Sequence, residues 1–111
     1  MTKQTESTLL QALWKSIKDR LENERHRVNE EIRNYPTPIP ACDAQFNYLL
    51  EEQAKIAQEM DRLKALSKGS FTREDVELID EFIRTSNYIT GDAERTMMSF
   101  LASLKRLPAQ T

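Results

Sequence analysis

One cysteine, one histidine and two glycines among 111 residues leave little material for chemistry. With Cys42 alone, no internal disulfide can form. A thiol nucleophile would need His26 as its base, because each is the only residue of its kind. In the hairpin derived below, His26 faces position 51, nine residues from Cys42, which is about 13 Å at 1.5 Å per residue. The charged neighbour of Cys42 is Asp43, the wrong sign for a reactive thiolate. Cys42 therefore reads as a small apolar residue at the start of a helix. A single histidine cannot complete two Glu-x-x-His motifs, as a di-iron bundle requires, and the residue three before it is Asn23. Zinc lacks clustered cysteine and histidine ligands. Two isolated glycines build no phosphate-cradling loop. The expectation is a non-enzymatic chain with no catalytic residue, no cofactor and no metal.

Long hydrophobic runs and charge of one sign are also missing. The uncharged stretch from roughly Met97 to Leu104 falls far short of the about 20 apolar residues that span a bilayer, and none in the chain is much longer. The net charge is -2 with both signs interleaved, so no field draws a phosphate backbone or an anionic lipid surface. Nucleic acid and membrane are thus not expected as partners. The first residues, Met-Thr-Lys-Gln-Thr-Glu-Ser-Thr, lack the apolar core of a secretory signal, and a cytoplasmic location is expected.

What is present is helix-forming composition: Glu, Lys, Arg, Gln, Leu and Ala dominate, and the expected class is all-α. At this length the chain is one domain, residues 1–111. Its organising unit is a long antiparallel helical hairpin with coiled-coil spacing, folded at the turn 34–39. On the first arm Leu10, Trp14, Ile17, Leu21, Glu24 and Val28 repeat at spacings of four and three. On the second arm Phe46, Leu49, Gln53, Ile56, Met60, Leu63 and Ser67 do the same. Facing positions share one sum: 28 with 49, 24 with 53, 21 with 56, 17 with 60, 14 with 63 and 10 with 67 all give 77. This register sets Glu24 opposite Gln53 as a satisfiable buried pair.

The first helix is expected over 6–33, with Ser7 or Thr5 as its N-cap. It would be roughly 42 Å long, against about 34 Å for a compact globule of this size, so an elongated molecule follows. Its apolar stripe is broad at Leu9, Leu10, Leu13, Trp14, Ile17 and Leu21 and narrows to Val28 and Ile32, which predicts a bundle at one end and a two-helix stalk at the other. Pro36, Pro38 and Pro40 stiffen the turn. A groove ligand built on these prolines is disfavoured, because no basic residue of the usual kind flanks them. Helix two is expected over 40–67, opened by Pro40 and Asp43, carrying a Glu51 and Lys55 pair, and ended by Gly69.

Thr72 with Asp75 forms a capping-box variant, and Phe71 with Val76 a hydrophobic staple, opening a third helix over 72–87. That helix should turn Val76, Leu78, Ile79, Phe82 and Ile83 inward and Asp75, Glu77, Asp80 and Glu81 outward. Asp92 should cap a fourth helix over 92–107, with Met97, Phe100, Leu101, Leu104 and Leu107 on one face and Pro108 ending it. The shorter second hairpin should then pack at the open end of the first, giving four helices. A helix-turn-helix reading fails on charge, because the would-be recognition helix opens with Asp92 and Glu94.

By elimination, the expected role is a protein-protein interaction module acting through helix surfaces. Its contact surface is expected at the proline end, where Tyr35, Ile39, Phe46, Tyr48 and Leu50 exceed what two helices can bury. The expected occupant is a second copy in a homodimer, with an unlike helical partner as the alternative. Two rivals stand beside it. One is a subunit whose purpose is self-assembly, and the other a small-ligand binder using a cavity near Trp14, Met60, Met97 and Met98.

Overall fold

The computed structural model describes residues 2–36, 44–66 and 71–106, with the side chains of 2–6 and 73 excepted. Four helices account for nearly all of them: α1 (Thr2–Arg33), α2 (Ala44–Ala65), α3 (Arg73–Thr85) and α4 (Gly91–Lys105). The class is all-α and the outline elongated, with principal extents of 61 × 26 × 18 Å. Helix α1 packs against each of the other three, and α3 packs against α4. The expected Pro40 start of helix two, Cys42, Gly69, Leu107 and Pro108 all lie outside the described residues.

Three cross-contacts establish that α1 and α2 run antiparallel. The Trp14 indole N–H donates to the Leu63 carbonyl at 3.0 Å, Gln53 donates to Asn29 at 2.9 Å, and the rings of Tyr35 and Phe46 lie 5.3 Å apart. As one position number rises, its partner's falls. The shared core contains Leu10, Leu13, Ile17 and Leu21 of α1 with Ile56 and Leu63 of α2, all buried. Past Leu21 the apolar residues of α1 are only the buried Val28 and the half-buried Ile32, so the stripe narrows as its spacing predicts.

The Glu24 and Gln53 pairing does not form. Gln53 is exposed and takes Asn29, while the half-buried Glu24 accepts from Arg27 at 3.0 and 3.2 Å. A carboxylate gains more from a guanidinium than from an amide. Lys55 is likewise not ion-paired to Glu51; its ammonium acts on Glu52. Ser7 is no N-cap either, since α1 is already helical from Thr2. Its hydroxyl instead accepts the Phe71 N–H at 3.2 Å, joining α1 to the segment that enters α3.

Helix α3 opens as its motif implies. The Asp75 carboxylate accepts the Thr72 N–H at 2.7 Å, and Phe71 and Val76 are both buried. Its inward face differs from the sequence reading. Asp75 and Asp80 are buried, and Leu78 is exposed. At 100° per residue, Val76, Ile79, Asp80 and Ile83 share one face, and Leu78 falls on nearly the opposite side. Asp80 is tolerated inside because Arg84 and Lys105 donate to it at 2.5 and 2.6 Å. Helix α4 is capped by Thr90, which is extended, rather than by Asp92, which sits in the first turn and pairs with Arg95. Gly91 carries a φ of +58°, a conformation that glycine adopts without strain.

Candidate functional site

The connection between α3 and α4 is held onto the long hairpin by polar groups. Glu59 of α2 is 4% exposed and accepts from Ser86 Oγ at 2.5 Å, Asn87 N at 2.9 Å and Asn87 Nδ2 at 3.3 Å. This capture explains why α3 stops at Thr85 instead of reaching Asn87: Ser86 is drawn into extended geometry by a carboxylate that supplies its acceptor. One residue on, the Tyr88 hydroxyl donates to the Glu52 carboxylate, and the Tyr88 carbonyl accepts Arg20 Nε at 3.1 Å. Arg62 closes the same edge by donating to Thr85 and lying 5.0 Å from the Phe82 ring. Trp14 serves the other end, where its indole N–H and the Leu66 N–H both donate to the carbonyl of Leu63 in the last turn of α2, at 3.0 and 3.1 Å.

Below this clasp runs an open polar cleft of about 420 Å³ between α1 and α2, closed at one end by Asn87, Tyr88 and Thr90. Its walls are built in levels. Arg20 lies across from Lys55, Glu24 across from Glu52, and Arg27 across from Tyr48, with position sums of 75, 76 and 75. The hydrogen bond from Tyr88 holds the Glu52 carboxyl below the usual range; burial opposes this, while Tyr48, Lys55 and Arg27 reinforce it. Burial, and then the bond to Glu52, pushes the Tyr88 hydroxyl far above its ordinary value.

A second groove, of about 380 Å³, lies between α1 and α4. Ala12, Leu13 and Ser16 form one wall, and Ala93, Thr96, Met97 and Phe100 the other. Of the residues expected around a ligand cavity, only Met97 lines it; Trp14, Met60 and Met98 are half-buried elsewhere in the core.

The five residues expected at the proline end do not form one face. Tyr35 and Phe46 are half-buried against each other, and Leu50, 41% exposed, lies one turn beyond Phe46 on the same side of α2. Tyr48 stands 200° away from Leu50 on the helix and lines the polar cleft instead. Ile39 lies outside the described residues. Sequence reasoning missed Glu59, Glu52, Arg20 and Tyr88 altogether. Glu59 carried one signal, an acid beside Ile56 and Leu63 on the buried stripe.

His26 is exposed on α1. Among the described residues, no group of three or more acidic, histidine or cysteine side chains could hold a metal ion, and no helix is long and apolar enough to cross a membrane. Comparison with protein-family models, with curated proteins and with solved structures finds no match for this chain.

Proposed function

We propose that this chain is a non-enzymatic helical interaction module whose contact surface is the proline end of the long hairpin, on the side formed by Tyr35, Phe46 and Leu50. The observation that carries this reading is the exposure of Leu50 beside the half-buried Phe46 and Tyr35. The hydrogen bonds and ring contacts that tie the second hairpin to the first engage Ser7 to Arg20 of α1 and Glu52 to Arg62 of α2. They leave the proline end to two helices, which cannot close a wide apolar face by themselves. The occupant is a second copy related by a two-fold axis, which would cover the same patch on both subunits. A cytoplasmic location fits a chain with a single cysteine.

Sedimentation across a concentration range tests this. The wild type is expected to pass from monomer to dimer, and Leu50→Asp to remain monomeric with unchanged helicity. A wild type that stays monomeric throughout, yet binds an unlike helical protein in a manner sensitive to Leu50→Asp, would transfer the surface to a hetero-partner. A second reading, a small apolar ligand held between helices, draws on the groove lined by Met97 and Phe100.

A further inference from the structure

We propose that the polar cleft between α1 and α2 is a binding site for a small organic oxyanion, a carboxylate or a phosphate monoester. The argument rests on which charges in the cleft are already engaged. Its two acids are taken. Glu24 accepts two hydrogen bonds from Arg27, and Glu52 accepts from the Tyr88 hydroxyl. Two of its three cations keep unused hydrogen-bond donors. Arg20 spends only Nε, on the Tyr88 carbonyl, and among the described residues no acceptor takes its two Nη groups. No acceptor among them takes the Lys55 ammonium either; it faces Arg20 from the same level of the opposite helix. At the closed end, the exposed Thr90 side chain makes no cap hydrogen bond and leaves its hydroxyl free to donate.

Donors from three separate elements therefore converge on one space, while the acceptors of that space are internally satisfied. An oxyanion accepts from all three, and a fork of two Nη groups suits carboxylate or phosphate oxygens. Arg20 is held in place before any ligand arrives, since its Nε is tied to the loop, and this lowers the cost of ordering it. Size excludes a bare inorganic ion as the full occupant. The cleft of about 420 Å³ is roughly fourteen times the volume that one liquid water occupies. An organic body bearing hydroxyl or amide groups fits the remainder, with the Tyr48 and Asn87 side chains beside it. This site is separate from the proline end, and neither proposal depends on the other.

The test is a titration of the full-length, isotope-labelled chain with glycerol phosphate and, separately, with succinate, followed through the backbone amides of Lys55, Tyr88 and Thr90. Ionic strength is held constant with sodium chloride. Saturable shifts at these amides are expected with at least one of the two, and whichever saturates assigns the phosphate or the carboxylate class. Lys55 is exposed, so Lys55→Gln should leave the fold intact while weakening binding about tenfold or more, the loss expected for one charge-assisted hydrogen bond. Thr90→Val should weaken it further. Lys64→Gln, elsewhere on α2, should change nothing. Shifts that grow linearly without saturating for both probes, or an affinity unchanged by Lys55→Gln, would overturn the proposal.

Discussion

Glu59 is where one residue decides the most. Replacing it by alanine leaves the Ser86 hydroxyl and the Asn87 N–H without an acceptor in a half-buried place. Chemical denaturation should report a loss of about 1 to 3 kcal/mol. Hydrogen exchange should show the Asn87 amide losing protection first. Tyr88 allows a sharper test because its titration is displaced. The folded state holds the phenol protonated above its ordinary range, so its contribution is whole below the unfolded value of about 10 and is lost as pH rises beyond it. Tyr88→Phe should cost about 1.5 to 3 kcal/mol at neutral pH, the worth of a hydrogen bond to a charged group, and should flatten the alkaline limb of the stability curve. Neither residue was legible beforehand. An acid next to Ile56 and Leu63 looks solvated until the position of Ser86 and Asn87 is known, and that position depends on contacts across the whole chain.

At the scale of elements, the periodic signals were readable wherever burial falls on one face. The α1 stripe, its narrowing past Leu21 and the Thr72 start of α3 follow from spacing and from one local motif. Asp80 did not, because hydrophobic periodicity assigns an acid to solvent and cannot anticipate Lys105 arriving from α4. Burial alone would raise the Asp80 carboxyl, but hydrogen bonds from Lys105 and Arg84 outweigh it and hold it below the usual range. Its contribution is therefore present above the unfolded carboxyl value of about 3.9 and lost as pH falls through the lower folded value. Asp80→Asn should remove that acid-dependent loss, and the α3 and α4 pair should be the part that loosens, visible by amide exchange. The hairpin register is tested separately, in a Cys42→Ser background. Cysteines at Leu21 and Ile56, both fully buried, should oxidise to an intramolecular bridge far more readily than cysteines at Leu21 and Met60.

For the molecule as a whole, the decisive fact is that one helix touches all the others. Helix α1 leaves the ribosome before the other three, yet contacts that cover its broad face come from residues 71 and beyond. Phe71 reaches back 64 positions to Ser7, and Tyr88 reaches back 68 to Arg20. At about 5 to 20 residues per second, the second of these gaps corresponds to roughly 3 to 14 s of synthesis. During that interval Leu9, Leu10, Leu13 and Trp14 have only α2 to lean on, and α2 covers one side of a face built for three neighbours. The order in which these helices are made is thus the reverse of the order in which their core is completed, and a nascent chain must keep the broad apolar face of α1 from other chains until α3 and α4 arrive.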